Sequence, residues 1–128
     1  MVMKKGIWSL LALTMALSAA AVMPAYATDD ELGNAENNYR LYCTSCHGPN
    51  GDGKGELAEM MEVPPRDHTD ASKMSKRTDE QLFMTISEGG EATGFNSCMP
   101  PHNTILQKED IRSMVKYLRK LCKCNYTK

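Results

Sequence analysis

The sequence has 128 residues, 15 basic and 16 acidic side chains, a net charge of −1 at pH 7, and only 6% aromatic residues. A chain of this length forms one small domain, which has difficulty burying enough apolar surface to be stable unaided. The balanced charge excludes the strongly basic face that nucleic-acid binding requires. This polar composition therefore favours a domain stabilised by a cofactor or a covalent cross-link.

The first 27 residues have the pattern of a secretory signal peptide. Lys4 and Lys5 precede an apolar run from Ile7 to Met23, and residues 25–27 read Ala-Tyr-Ala, the small residues that signal peptidase recognises. The run is shorter than the roughly 20 residues that span a bilayer comfortably. The pattern predicts cleavage after Ala27, export to the periplasm without stable membrane insertion, and a mature domain of residues 28–128.

A short helix is predicted to lead into a motif of two cysteines and a histidine. Residues 35–42 place apolar or aromatic side chains at positions that suit a helix and contain no proline. Cys43 and Cys46, followed directly by His47, have the spacing of a c-type haem attachment site. On a helical turn, the two thiols can add to the two vinyl groups of one porphyrin, and the histidine becomes the proximal iron ligand. The motif predicts one covalently bound haem c.

Two other interpretations of the motif fit less well. A thioredoxin-like dithiol has the same spacing but lies in a βαβ context, which this sequence lacks. A zinc site needs a second ligand pair of matching spacing, whereas Cys122 and Cys124 are separated by a single residue.

The segment after the motif is rich in turn-forming residues. Residues 48–55 contain four glycines and cannot continue the helix. A short helical turn is predicted near residues 56–61, and Pro64 and Pro65 end it.

Two further helices complete the predicted fold. Thr78 and Gln81 form a capping box at the start of one helix, and the pair Gly89-Gly90 ends it. The last helix, over residues 108–121, carries a single apolar stripe. With no convincing strand, the predicted fold class is all-α.

The order of these elements resembles that of the class I cytochromes c, in the bacterial periplasmic branch. The resemblance covers nearly all of the mature chain and implies a small cytochrome c fold, with three to four helices wrapped around one haem. In such proteins the first and last helices cross, and here Ala35 would meet Tyr117. The resemblance rests on Tyr39, residues 43–55, Pro64-Pro65, residues 78–94, Met99-Pro100-Pro101 and residues 111–121 with Tyr117.

The sequence leaves more than one candidate for the second axial ligand of the iron. The resemblance implies Met99, which lies in a proline-braced loop. The neighbouring Cys98 is an alternative, because a thiolate near ferric haem can displace the thioether. His102 and an open position are the remaining alternatives. The choice matters because axial ligands tune haem potential over roughly 0.8 V; a His/Met haem suits a high-potential shuttle, whereas a His/Cys haem is much lower in potential.

The other cysteines divide into a pair and a single residue. A helix of about 14 residues, or roughly 20 Å, separates Cys98 from Cys122 and Cys124, so Cys98 is expected to be unpaired. Cys122 and Cys124 either form a local disulfide, bridge to a partner chain in a homo- or heterodimer, or remain free thiols.

Two polar residues follow the paired prolines. Arg66 is a candidate partner of a haem propionate through its planar guanidinium group, with a solvated surface arginine as the alternative. His68 is predicted to be a loop histidine rather than a ligand.

The leading functional interpretation is a soluble periplasmic electron carrier, not an enzyme, whose exposed haem edge docks transiently with redox partner proteins. The alternative is a haem subunit of a larger complex with low-potential His/Cys ligation, which binds a small gas or serves a catalytic assembly. Cys98 motivates that alternative. A dithiol oxidoreductase is disfavoured because the haem consumes the dithiol.

Overall fold

The computed structural model describes residues 29–128, so the predicted signal peptide and its cleavage site lie outside the described residues. Over that range, no strand is present. None of the helices described there is both long and apolar enough to cross a membrane. The helices are α1 (Asp29–Tyr42), α2 (Thr44–His47), α3 (Ala71–Met74), α4 (Asp79–Ala92) and α5 (Lys108–Cys122), with a 3₁₀ turn at Ala58–Met60. The predicted all-α fold is confirmed.

The core lies where α1 packs against α5. Ala35 and Tyr39 of α1 are fully buried, and the Tyr39 ring lies 5.3 Å from the ring of Tyr117, measured between centroids. Ala35 and Tyr117 belong to the same buried cluster, as expected for the pairing of the first and last helices. The apolar stripe of α5 supplies four more residues of this core: Ile111, Met114, Val115 and Leu118.

Helix α4 begins as its sequence predicts and is interrupted at Gly89, although helical structure resumes after the break and runs to Ala92. The Thr78 hydroxyl accepts a hydrogen bond from the Gln81 amide at 3.1 Å, and the Gln81 side chain accepts one from the Thr78 amide at 2.9 Å. At the other end, Gly89 has a φ of 83°, which interrupts the helical backbone. This left-handed conformation is one that glycine adopts without steric penalty.

Several element boundaries differ from those predicted. Helix α1 begins at Asp29, six residues before the predicted start at Ala35. The helical turn expected near residues 56–61 is a three-residue 3₁₀ turn. Helix α3 was not predicted; the carboxylate of Asp70 caps it by accepting from the Ser72 and Lys73 amides. A helix of four residues is too short to show an apolar periodicity, which explains why the pattern did not reveal it.

The carboxyl-terminal end of α5 is tied down in two ways. Cys122 and Cys124 form a disulfide with each other, which is the first of the three predicted alternatives and leaves neither thiol for a bridge to a partner chain. The guanidinium group of Arg119 donates to the Met74 carbonyl oxygen at 2.9 Å and to the Asp79 carboxylate at 2.8 Å. The end of α5 is thereby joined to the segment that connects α3 and α4.

Candidate functional site

A cavity of about 530 Å³ opens between the helices and the loops that follow α2 and α4. Its size falls within the roughly 300–1,000 Å³ that is typical of cofactor pockets, and most of its lining residues are apolar. The residues that the sequence singled out all line this one cavity: Cys43, Cys46, His47, Arg66, Cys98 and Met99. Segments that are far apart in the chain therefore converge on a single site.

The two cysteines of the motif lie on a helical turn that continues α1 directly. The Cys43 amide donates to the Tyr39 carbonyl oxygen at 2.9 Å, and the His47 amide donates to the Cys43 carbonyl oxygen at 2.8 Å. Neither Cys43 nor Cys46 takes part in a disulfide. Burial, reinforced by the neighbouring Cys46, raises the pKa of Cys43 to about 12. The Cys43 thiol is therefore held in its protonated form.

The imidazole of His47 has one nitrogen bonded and one available. Its Nδ1 lies 2.9 Å from the carbonyl oxygen of Arg66. Because a carbonyl oxygen can only accept, Nδ1 carries the hydrogen and Nε2 of the neutral ring keeps its lone pair. Burial lowers the pKa of His47, which favours this neutral form. A backbone bond that fixes the tautomer in this way is typical of metal-ligating histidines.

Arg66 and His68 occupy the loop beneath His47. Arg66 is exposed, and its backbone carbonyl oxygen accepts the hydrogen bond from His47. The sequence predicts a role for the Arg66 side chain and not this backbone contact. His68 lies in a loop, as predicted, but it is buried and its ring stacks on that of His47, with centroids 4.2 Å apart. Burial, followed in importance by His47, lowers the pKa of His68 well below its usual value, which favours the neutral ring.

The two candidate distal ligands differ in their surroundings. Met99 is partly buried and packs against the hydrophobic core, whereas the side chain of Cys98 is exposed and its thiol is free. The amide of Gly90 donates to the Met99 carbonyl oxygen at 2.9 Å, so the end of α4 holds the Met99 loop in place. Both residues line the cavity, and Met99 alone of the two also packs against the core.

His102 also lies in the cavity wall. It is buried, and its amide donates to the Ile86 carbonyl oxygen at 3.0 Å. Its Nδ1 is buried without a hydrogen-bond partner. Two thiols on one turn, a neutral imidazole with a free nitrogen, and a thioether are together a donor set that fits a covalently bound haem.

We expect Gly90→Ala to displace the Met99 loop. A Cβ atom at this position would collide with the carbonyl oxygen of Asn96, and backbone cannot move aside as a flexible side chain can. The free energy of unfolding should fall by about 1–3 kcal/mol, measured by urea denaturation. Glu91→Ala, at an exposed neighbouring position, is the matched control and should change the unfolding free energy by less than about 0.5 kcal/mol. Equal stabilities of the two variants would contradict this packing.

A family model described as Cytochrome c matches residues 34–122 of the chain. This range begins within α1 and ends with the last residue of α5. It therefore includes every residue that lines the cavity. No match was found among curated proteins.

Several solved structures resemble the fold, and three of them are described below. The "KustC0563 c-type cytochrome" is 26% identical, with a TM-score of 0.56, over 68% of this chain and 95% of that chain. A chain of the "Kuenenia stuttgartiensis reducing HAO-like protein complex Kustc0457/Kustc0458" is 30% identical, with a TM-score of 0.58, over 77% of this chain and only 44% of that chain. Cytochrome CL from the marine bacterium Methylophaga aminisulfidivorans is 24% identical, with a TM-score of 0.54, over 73% of this chain and 55% of that chain, and shows the fold alone.

Proposed function

Because the chain belongs to the cytochrome c family, we propose that it is a monohaem c-type cytochrome that transfers electrons between redox partner proteins in the periplasm. Members of this family bind haem c covalently and carry electrons. The observation that carries the proposal is the convergence of the cysteine–histidine motif and Met99 on one apolar cavity. A single attachment motif in the sequence supports one haem per chain.

In this proposal, each residue of the motif has a separate role. The sulfurs of Cys43 and Cys46 hold the haem through thioether bonds, and Nε2 of His47 is the proximal ligand. Haem supplies a one-electron ferric–ferrous couple when bound. The Arg66 carbonyl holds the imidazole of His47 in the tautomer that ligates, while its guanidinium group, at the cavity wall, is the proposed partner of a propionate.

We assign the distal position to Met99 and keep Cys98 as the alternative. The packing of Met99 against the core and the exposure of Cys98 support this order. A thioether is a soft donor that favours ferrous iron, so His/Met ligation suits a carrier that accepts electrons readily.

Export to the periplasm accounts for two features of the chain. The pattern of residues 1–27 is that of a signal peptide, which we propose is removed after Ala27. The disulfide between Cys122 and Cys124 is of a kind that persists in oxidising compartments such as the periplasm.

A second candidate function is that of a haem subunit in a larger redox complex. The similarity to a chain of the reducing HAO-like complex favours it, although this chain spans only 44% of that one. A low-potential His/Cys haem that binds a small gas belongs to this alternative.

The absorption spectrum of the purified protein separates the two functions. A carrier with His/Met ligation should contain one haem per chain by the pyridine haemochrome assay, should show the weak near-infrared sulfur-to-iron band when oxidised, and should not bind carbon monoxide when reduced. Ready carbon monoxide binding together with a missing near-infrared band would favour the subunit of a larger complex. Absence of covalent haem would contradict both.

A further inference from the structure

His68 is a buried imidazole that the proposed electron-transfer chemistry does not use. Its side chain is 8% exposed, and its ring is nearly parallel to that of His47, with 18° between the planes and 4.2 Å between the centroids. The face of His47 that contacts His68 is therefore shielded from water. The His47 ring also cannot turn toward that side, because the His68 ring occupies the space.

The position of His68 is itself fixed from three sides. Its Nδ1 is hydrogen-bonded to the hydroxyl of Tyr39 at 3.1 Å, and its amide donates to the Gly51 carbonyl oxygen at 2.6 Å. Gly51 has a φ of 77°, and a Cβ atom there would lie 3.3 Å from the Tyr39 hydroxyl oxygen and 3.4 Å from Cβ of His68. Tyr39 in turn belongs to the packed core between α1 and α5. The ring of His68 is thus held by the most rigid part of the fold.

Two independent restraints consequently act on His47. The hydrogen bond from Nδ1 to the Arg66 carbonyl oxygen fixes one edge of the ring. The stack with His68 fixes the plane of the ring. Because the ring is attached to the chain at Cγ, its plane changes by a turn about the Cβ–Cγ bond, which lengthens this hydrogen bond; the stack with His68 opposes the same turn from the side of the ring face.

We propose that His68 is a positioning residue that sets the plane of the proximal imidazole of His47 above the haem and shields it from water. The proposal rests on the proposed role of His47 as the proximal ligand. The plane of an axial imidazole determines how its π orbitals overlap the iron d orbitals, and solvent access to the ligand influences the reduction potential. His68 therefore acts on the haem through His47.

The test compares three variants of the holoprotein by electron paramagnetic resonance of the ferric form, by proton NMR of the haem methyl groups, and by midpoint potential. His68→Leu removes both the ring and its hydrogen bond. His68→Phe retains an aromatic face for the stack, and Tyr39→Phe removes only the hydrogen bond. Asn50→Ala, at an exposed position beside Gly51, is the control.

We expect His68→Leu to change the g values and the order of the methyl shifts and to lower the midpoint potential, because water stabilises the more highly charged ferric state. His68→Phe should restore g values close to those of the wild type, and Tyr39→Phe should shift them in the same direction as His68→Leu but less. If His68→Leu does not fold, the wild type is compared with His68→Phe and Tyr39→Phe, both of which keep an aromatic ring at the substituted position.

The wild type and all folded variants can instead contain low-spin haem c with the same g values, methyl pattern and potential. That result overturns the positioning role of His68 and leaves the proposed function intact. His68 would then be only a packing residue. A wild-type protein without covalently bound, histidine-ligated haem overturns the proposed function, and the positioning role with it.

Discussion

The double variant Cys43→Ser/Cys46→Ser is expected to contain no covalently attached haem. Both thiols line the cavity on one helical turn, and a serine hydroxyl does not form the thioether bond. A denaturing gel stained for haem peroxidase activity should show a band for the wild type and none for the double variant. A haem-stained band for the double variant would exclude the proposed attachment.

The same variant should also lose most of its folding stability. The cavity of about 530 Å³ would have to remain open or collapse. Without haem, the apolar side chains that line the cavity would face water, and a domain of this size has little other buried apolar surface to keep it folded. Far-ultraviolet circular dichroism should show a large loss of helix. Cys98→Ser, which removes an exposed thiol, is the matched control and should keep both the haem stain and the helix content.

Met99→Ala is expected to have the second largest effect, through the distal ligand. Loss of the thioether should remove the near-infrared band, open the ferrous iron to carbon monoxide, and lower the midpoint potential by at least about 0.1 V, within the roughly 0.8 V over which axial ligands act. The physical reason is that a thioether stabilises ferrous iron more than ferric iron. Spectroscopy of both oxidation states and redox titration measure these changes.

Two comparisons make this result specific to Met99. Met84→Ala removes a partly exposed methionine of α4 that does not line the cavity, and it should leave the band and the potential unchanged. Cys98→Ser should also leave them unchanged. If instead Cys98→Ser raises the potential or creates the near-infrared band, Cys98 is the distal ligand and the assignment to Met99 is wrong.

Features that depend on neighbouring residues could be predicted from the sequence. The capping box of Thr78 and Gln81 and the interruption at Gly89 involve bonds and backbone angles within a few residues, and the structure confirms both. The apolar stripe of α5 likewise follows from a period of 3.6 residues, which any buried helix face must satisfy. The attachment motif was recognisable because the chemistry of two vinyl groups requires two thiols at a fixed spacing.

Features that depend on contacts between distant segments could not be predicted. His68 was interpreted as a loop histidine, because nothing local indicates that the chain brings it against His47 and Tyr39. The hydrogen bond from His47 to the Arg66 carbonyl oxygen could not be predicted either. Every residue has a carbonyl group, and only the fold determines which one lies next to the imidazole.

The sequence by itself determined the all-α class, the motif of Cys43, Cys46 and His47, and the pair of candidates for the distal position. Tertiary structure alone decided that Cys98 and Met99 both lie in the cavity wall and that Met99 also packs against the core, and that Cys122 bonds to Cys124. The physical reason is that spacing along the chain restricts which groups can react together. Exposure and pairing depend instead on how α4, α5 and their loops pack in space.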